Sequence, residues 1–147
     1  MIKTLLKEVK EYKKDTLLSP VYVSIEAILE VLIPFLMAIL VDNGIEKGNM
    51  KSIWFYGFLM LVAAFVSLWA GAKSGKHAAI ASSGFAKNLR KAEYRKIQEF
   101  SFSNVDAYST SGLITRMMTD VTNIQNAYQM MIRVCVRAPL MLIASLV

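Results

Sequence analysis

Two acidic side chains, four residues apart, interrupt the first long apolar run of the chain. Glu26 and Glu30 therefore share one helix face, and Glu30 falls near the middle of the run at 20–41. A carboxylate at the middle of a bilayer costs about 2.5–3.5 kcal/mol, so it must meet water, a cation or a substrate, or be protonated. The pair could line a transport cavity that favours cationic substrates. Alternatively, it could pair structurally with another helix or face water without any selectivity. Pro34 follows one turn later and is expected to bend the helix.

Residues 71–77 have part of the pattern of a phosphate-binding loop. That loop has four residues between its glycines and a Ser or Thr after its lysine. Here three residues separate Gly71 from Gly75, and His77 takes the place of the hydroxyl. We therefore do not expect a nucleotide to bind at this segment.

The same glycines begin a row of small residues at every fourth position. The row consists of Gly71, Gly75, Ala79 and Ser83. A second row lies beside it at Ala70, Ser74, Ala78 and Ser82. Small residues at this spacing let two helices approach closely, so the first row predicts a helix-packing face.

The other side chains that commonly do chemistry occur singly. His77 is the only histidine and has no second ligand nearby in sequence, so a metal site is not expected. Cys135 is the only cysteine, and we interpret it as a small buried hydrophobe and not as a reactive thiol. We expect no catalytic, cofactor-binding or metal-binding residue in this chain.

The elements that must position these residues are long apolar runs. Hydrophobic residues make up 55% of the 147 residues and charged residues 19%, whereas soluble domains carry about 25% charged residues. The runs at 20–41 and 53–72 are each long enough to cross about 30 Å of hydrocarbon. A third run begins near residue 138 and reaches the last residue after half that length. We therefore expect the first part of a longer membrane protein with several spans.

Local signals suggest where the first span begins and ends. Ser19 and Pro20 have the pattern of an N-cap followed by the first helical residue. Gly44 follows Asp42 and Asn43 and would suit a left-handed helix end. Residues 1–18 are amphipathic and rich in lysine, which is typical of a helix lying in a membrane interface.

Basic residues predict the orientation of the spans. The first 18 residues contain five lysines, the loop between the spans contains two, and residues 73–133 contain nine lysines and arginines. Loops rich in Lys and Arg stay in the cytoplasm. We expect a cytoplasmic N-terminus and a multi-pass protein of the plasma membrane. The weak aromatic content of 73–100 argues against binding of nucleic acid.

The cytoplasmic excursion between the second and third spans is predicted to be almost wholly helical. Span two is expected to continue as a helix to about residue 100, and 101–120 to form a turn and a short helix. Residues 121–147 then keep an apolar stripe at helical spacing and lead into the incomplete third span. The predicted fold class is therefore all-α membrane, with long transmembrane helices that extend into the cytoplasm.

The most specific stretch is the short helix at the tip of that excursion. Residues 112–121 read Gly-Leu-Ile-Thr-Arg-Met-Met-Thr-Asp-Val. They resemble the first intracellular loop of ABC exporters, whose pattern is close to S/T-G-x-L-[IL]-[ST]-R-[LM]-x-x-D-V. Leu113 directly follows Gly112, so the acidic residue that is common after the glycine is absent. Residues 34–45 and 136–141 resemble the end of the first span and the start of the third in the same family.

The resemblance implies an exporter-type transmembrane domain that is truncated in its third span. A full member has six spans and a nucleotide-binding domain, works as a homo- or heterodimer, and moves an unidentified small molecule or peptide. ATP and Mg²⁺ would bind to the domain missing from this chain, which itself would have no enzymatic activity. Glu26, Glu30 and Pro34 would be substrate-pathway candidates. A coupling helix of this chain would dock on the nucleotide-binding domain. It would contain Gly112, Leu113, Arg116, Met117 and Asp120.

A second interpretation remains open. The chain could be a complete small membrane scaffold or regulatory protein that docks a partner through its basic cytoplasmic helices. The lysine-rich composition fits a bacterial membrane under either interpretation.

Overall fold

The computed structural model describes residues 7–99 and 110–146, and these are helical apart from one short turn. The predicted turn at 101–109 therefore lies outside the described residues, as does the first part of the interfacial segment 1–18. The α-helices are α1 (Lys13–Leu40), α2 (Met50–Gln98), α3 (Thr110–Thr115) and α4 (Val121–Leu146). A 3-10 helix, Lys7–Tyr12, leads into α1, and π-helical turns follow α1 at Val41–Ile45 and precede α4 at Arg116–Asp120.

The predicted start of the first helix at Ser19 and Pro20 is wrong. Helix α1 begins at Lys13, and Pro20 lies inside it. The hydroxyl of Ser19 does not cap a helix end, because it is fully buried and donates to the carbonyl oxygen of Ser74 at 3.2 Å. A contact between helices has therefore overridden a local capping pattern.

The turn between α1 and α2 uses a different glycine from the predicted one. Gly48 has the positive φ of 60°, whereas Gly44 lies inside the π-helical turn. A Cβ on Gly44 would come within 2.7 Å of Cγ1 of Ile53, so this glycine allows a close approach of the two helices. The side chain of Asn49 then caps α2 by accepting from the backbone N–H of Lys51 at 3.2 Å.

Helix α2 is much longer than a bilayer is thick. Its 49 residues span about 74 Å at 1.5 Å per residue, against about 30 Å of hydrocarbon. The helix includes both the second apolar run and the basic segment after it. More than half of α2 therefore extends beyond a membrane that encloses its apolar part.

Helices α1 and α2 pack in antiparallel orientation. Nδ1 of His77 lies 2.7 Å from Oδ1 of Asp15, and the hydroxyls of Ser19 and Ser74 are 3.3 Å apart. As the residue number rises along α1, the number of its partner on α2 falls. This order fixes the register of a helical hairpin.

Helix α4 runs parallel to α1. The hydroxyls of Thr16 and Tyr128 are 3.0 Å apart at one level, and Glu30 contacts Arg137 at another. The residue numbers on both helices rise together. The three long helices therefore run in alternating directions, as consecutive spans of a membrane protein do.

The buried hydrophobic cluster lies outside the apolar runs of α1 and α2. It joins the 3-10 helix, the basic half of α2 and the first half of α4. Its members are Val9, Ala81, Phe85, Ala86, Leu89, Val121, Tyr128 and Ile132. The rings of Phe85 and Tyr128 are tilted by 32° with centroids 4.6 Å apart. Water-excluding packing of this kind stabilises the part of the molecule that a bilayer would not cover.

Large apolar side chains cover the outer faces of the spans. Trp54, Phe65 and Leu68 are each at least 70% exposed. Three helices in the described ranges, Lys13–Ile45, Met50–Gln98 and Arg116–Leu146, are long and apolar enough to cross a membrane. Such apolar surface is costly in water and normal in hydrocarbon.

The helix-packing row predicted at Gly71, Gly75, Ala79 and Ser83 is displaced by one residue. Ala79 and Ser83 are exposed, and a Cβ on Gly75 would meet nothing within 4 Å. The fully buried residues form the second row, Ala70, Ser74, Ala78 and Ser82. The contact between Ser19 and Ser74 turns that row toward α1, and one residue is about 100° around a helix. Gly71 lies at the edge of the interface.

Candidate functional site

The two acidic residues of the first span meet a single arginine from the third. Nη2 of Arg137 lies 2.7 Å from Oε1 and 2.8 Å from Oε2 of Glu30. Its other terminal nitrogen, Nη1, lies 3.7 Å from Oε1 of Glu26. Glu26 and Glu30 are one helical turn apart on α1, so both carboxylates can reach the guanidinium of Arg137 on the parallel helix α4. The structure thus shows the pairing between helices that was one of the two sequence interpretations.

The three charged side chains differ in exposure. Glu26 is 14% exposed, Glu30 is 32% exposed and Arg137 is 41% exposed. One nitrogen of the guanidinium, Nη2, thus donates to both oxygens of Glu30, and hydrogen bonds between charged groups are stronger than neutral ones. Removing one member of a buried pair leaves the other charge uncompensated in a medium that solvates it poorly.

Gly71 makes room for the more buried carboxylate. A Cβ at this position would lie 2.9 Å from Oε1 of Glu26. The other oxygen, Oε2, is buried and has no hydrogen-bond partner among the described residues. Glu26 is therefore packed closely against α2, and its carboxylate has fewer hydrogen-bond partners than the carboxylate of Glu30.

Arg137 was not among the functional residues predicted from the sequence, where it belonged to the family resemblance at 136–141. A usable signal was present, since a lone basic residue beside one apolar run and lone carboxylates in another are expected to pair in hydrocarbon.

A groove with a mixed lining extends from this ion pair along α4. It has a volume of about 520 Å³ and is lined by Val23 of α1 and, on α4, by Asn126, Gln129, Met130, Arg133, Val134 and Arg137. Glu26 and Glu30 are not among its lining residues. The groove therefore presents a few cationic and amide groups on a largely apolar surface.

An apolar groove continues on the other side of Arg137. It has a volume of about 720 Å³ and is lined by residues such as Val31, Leu32, Phe35, Leu140 and Ile143. Pro34 lies inside α1 with its side chain exposed and is not among the lining residues. Its predicted role in the substrate pathway remains a prediction.

The predicted coupling residues do not form a separate helix. Gly112 and Leu113 belong to α3, and Arg116, Met117 and Asp120 form the π-helical turn that joins α3 to α4. Residues 110–146 are thus continuously helical, because the apolar stripe of this segment continues directly into α4. Met117 is half-buried, while Arg116 and Asp120 are exposed. Their role in docking another domain remains a prediction.

The carboxyl group of Glu93, beside this turn, lies in surroundings that disfavour its charged form. Burial raises the pKa of Glu93 on α2 above its ordinary value of 4.5, and the nearby Asp120 raises it further, against the opposing effect of Arg90. One oxygen of Glu93 is buried without a hydrogen-bond partner in the described ranges. The contact between α2 and the start of α4 therefore includes a destabilising charge.

The segment that resembled a phosphate-binding loop is helical. Residues 71–77 lie in the middle of α2, so their backbone N–H groups are not arranged as a loop around an anion. His77 instead contacts Asp15 and stacks on Tyr22, with ring centroids 5.7 Å apart. It is therefore part of the packing between α1 and α2.

The interpretation of Cys135 as a buried residue is wrong for the described chain. Cys135 is exposed on α4. The buried face of α4 contains Val121, Tyr128 and Ile132, and Cys135 follows Tyr128 by seven residues, so it lies on the same face. Cys135 is exposed because it lies beyond Ile132, the last residue of α4 in the buried cluster.

The architecture defines a class of protein before any comparison is made. Three long apolar helices in alternating directions, one of them much longer than a bilayer is thick, are typical of a helical membrane protein with several spans. The ion pair between the parallel helices α1 and α4 is of the kind found within spans. The predicted fold class, all-α membrane, is confirmed.

The family model of the ABC transporter transmembrane region matches residues 17–147. This chain belongs to that family, so the resemblance seen at residues 34–45, 112–121 and 136–141 is confirmed.

Bacterial relatives agree with this assignment. An uncharacterised ABC transporter ATP-binding protein of Bacillus subtilis, YfiB, is 37% identical over 122 residues, covering 83% of this chain and 21% of the relative. Uncharacterised ABC transporter ATP-binding proteins of Mycobacterium tuberculosis (Rv1273c) and Mycobacterium bovis (Mb1304c) are 25% identical over all of this chain and 25% of their own length. The chain therefore spans about a fifth to a quarter of the curated relatives it matches.

Proposed function

We propose that this chain forms part of the substrate pathway of an ATP-driven exporter in a bacterial plasma membrane and couples that pathway to a nucleotide-binding domain. The N-terminus is placed in the cytoplasm, as the basic residues predict. The observation that carries the proposal is the ion pair between Glu30 and Arg137. It joins the first and third spans beside a groove.

The ion pair supports a role in the pathway because it is polar where the surroundings are apolar. An ionisable residue inside a span is expensive and commonly marks a route for a substrate or a moving contact. Arg137 contacts the carboxylate of Glu30 and also lines the mixed groove along α4. A shift of α4 against α1 would change the groove and the ion pair together.

The cytoplasmic half of the molecule supports a coupling role. The buried cluster around Phe85 and Tyr128 joins α2 to α4 outside the apolar runs. Residues of the π-helical turn before α4, including Met117 and Asp120, lie at the far end of this unit. A force applied there by another domain would move both helices as one body.

The nucleotide-binding domain and the second half of the dimer are expected to be other parts of the transporter. ATP and Mg²⁺ would bind to the nucleotide-binding domain, and a second copy or a related half would complete the dimer. The chain described here would bind no nucleotide and would hydrolyse no ATP. Its substrate would be a small molecule or a peptide.

The proposal is tested on the intact transporter encoded by the gene, reconstituted in lipid nanodiscs. Lys91 is exposed on the part of α2 beyond the apolar run, so the variant K91C can carry a spin label after native cysteines are replaced. Pulsed electron paramagnetic resonance then measures the distance between labels on the two halves. We expect the distance to shorten when ATP and vanadate are added.

A matched label on the other side of the membrane provides the control. Lys47 lies in the turn between α1 and α2, and labels at K47C should move apart or stay in place under the same conditions. Absence of any ATP-dependent distance change at both positions, in a sample that binds ATP, would contradict an ATP-driven exporter.

A further inference from the structure

Two stripes of side chains, one on α1 and one on α2, run beside each other where the apolar runs end. Each stripe takes every fourth residue, so its members share one face of their helix. The stripes consist of Lys14, Leu18 and Tyr22 on α1 and of Trp69, Lys73 and His77 on α2. These six residues are called the boundary face below.

The two stripes of the boundary face are in contact. The ring of Tyr22 stacks on the ring of His77 with centroids 5.7 Å apart, and it meets the ring of Trp69 edge-on at 5.8 Å. Lys73 lies between those two positions on α2, and its Nζ is 5.7 Å from the centroid of the Trp69 ring. The boundary face is therefore one continuous surface that presents aromatic rings and an ammonium group side by side.

The boundary face lies at the edge of the apolar surface. The hydroxyls of Ser19 and Ser74 are 3.3 Å apart, which puts the start of the apolar run at 20–41 level with the end of the run at 53–72. Trp69, on the apolar side of this level, is 55% exposed. Lys14, on the polar side, is exposed as well. Tryptophan beside lysine is typical of the depth at which lipid headgroups lie.

The boundary face is turned away from α4. Thr16 of α1 contacts Tyr128 of α4. Lys14 and Leu18 are each two residues from Thr16, which places them about 200° around α1 from that contact. In the described ranges, helix α4 therefore does not cover the boundary face.

The lysines of the boundary face lack an acidic partner. Among the described residues, no ion pair includes Lys14 or Lys73. Asp15, the acidic residue next to Lys14, instead lies 2.7 Å from Nδ1 of His77. Lys76 is exposed about one turn further from the apolar run and adds to the positive charge. An excess of lysine directly beside apolar surface is complementary to anionic lipid headgroups.

We propose that the boundary face binds an anionic phospholipid of the adjacent leaflet, with the phosphate between Lys14 and Lys73 and the acyl chains along the apolar surface beyond Leu18 and Trp69. The contact with the Trp69 ring keeps the ammonium group of Lys73 at this depth. The inference goes beyond the proposed function, because such a lipid is a bound partner of the transporter and not its substrate.

The test uses photo-crosslinking of the intact transporter in phosphatidylcholine nanodiscs without nucleotide. The probe is phosphatidylglycerol with a diazirine near the glycerol end of one acyl chain, and phosphatidylcholine with the same diazirine is the matched zwitterionic lipid. Mass spectrometry identifies the labelled peptides. We expect the phosphatidylglycerol probe to label residues around Leu18 and Trp69, and unlabelled phosphatidylglycerol to displace it. The phosphatidylcholine probe should label the same residues weakly.

Variants of the two lysines sharpen the test. K14Q and K73Q should each reduce the labelling about fivefold, as expected for the loss of one charge near a membrane surface. K73R keeps the charge and should keep most of the labelling, which guards against simple misfolding. Lys91 is exposed about 27 Å further along α2 at 1.5 Å per residue, and K91Q should leave the labelling unchanged.

Several outcomes would overturn the inference. These are equal labelling by the two probes, unchanged labelling of both K14Q and K73Q, or no labelling of the boundary face because other helices of the transporter cover it. Displacement of the probe by inorganic phosphate would assign the lysines to a soluble anion and not to a lipid. Because no nucleotide is present, each of these results is separate from the ATP-driven distance change that tests the proposed function.

Discussion

Nη2 of Arg137 donates to both carboxylate oxygens of Glu30, at 2.7 and 2.8 Å, although the two residues are 107 positions apart in the sequence. This pair fixes the depth at which α4 lies against α1. Arg137 also lines the mixed groove along α4. One contact thus contributes to the packing of two spans and to the chemistry between them.

The two glutamates should contribute unequally to stability. E30Q removes the charged acceptor of Arg137, so we expect a loss of about 1–3 kcal/mol in the free energy of unfolding. E26Q should cost less, because Glu26 is 3.7 Å from the guanidinium and one of its oxygens has no described partner. Thermal unfolding in dodecyl maltoside measures both. An equal or larger loss for E26Q would contradict this ranking.

Two glycines of α2 should respond in opposite ways to an added methyl group. At Gly84 a Cβ would overlap the ring of Tyr12, whereas at Gly75 it would meet nothing within 4 Å. G75A should gain up to about 1 kcal/mol of helix stability, and G84A should lose about 1–3 kcal/mol through overpacking. The difference in melting temperature between the two variants is the readout. If the variants have the same melting temperature, the close approach of the 3-10 helix to α2 is wrong.

Neighbouring alanines test which small-residue row packs. Ala78 is fully buried and Ala79 is exposed. A78L should therefore destabilise the protein by about 1–3 kcal/mol or prevent its folding, while A79L should be nearly neutral. Expression level and monodispersity in detergent provide a readout even if A78L does not fold. Tolerance of A78L together with damage by A79L would restore the row that the sequence predicted.

The carboxyl group of Glu93 should make the protein less stable as the pH rises. Because its pKa is raised in the folded state, the folded protein holds the proton more tightly than the unfolded chain does. The favourable contribution is present below about pH 4.5 and is lost as the pH rises through the raised pKa. E93Q should therefore melt at a higher temperature than the parent at about pH 7.5 and at a similar temperature near pH 4.

A second glutamate provides a control of opposite sign. The hydrogen bond from Lys96 and its charge lower the pKa of the exposed Glu99, so its contribution is present above about pH 4.5 and is lost as the pH falls. E99Q should lower the melting temperature slightly at about pH 7.5. If the difference in melting temperature between E93Q and the parent does not change with pH, the raised pKa of Glu93 is contradicted.

The sequence predicted the order and class of the long helices because apolar runs and charge counts act over many residues. The span of α1 was found, although its start was not, since the hydroxyl of Ser19 binds another helix instead of capping its own. The turn was found too, but Gly48 and not Gly44 takes the positive φ. Local patterns failed where a contact between helices decided the outcome.

The candidate site could be predicted only in part. Glu26 and Glu30 were selected from their depth and spacing, yet the partner, Arg137, lies on a helix whose register the sequence does not reveal. The packing row was missed by one residue because two rows of small side chains lie side by side. Rotation of a helix about its axis depends on all its neighbours, and periodicity alone does not determine it.

The central claim is most directly tested by exchanging the two charges of the ion pair in the intact transporter. Spin labels at K91C report the ATP-driven distance change for the parent, E30R, R137E and the double variant. E30R places two arginines together, and R137E places three carboxylates together because Glu26 is also near. Each single variant should therefore abolish the change, and the double variant should restore it at least in part. Loss of the change in all three variants, or its persistence in both single ones, would contradict a pathway built around the contact between Glu30 and Arg137.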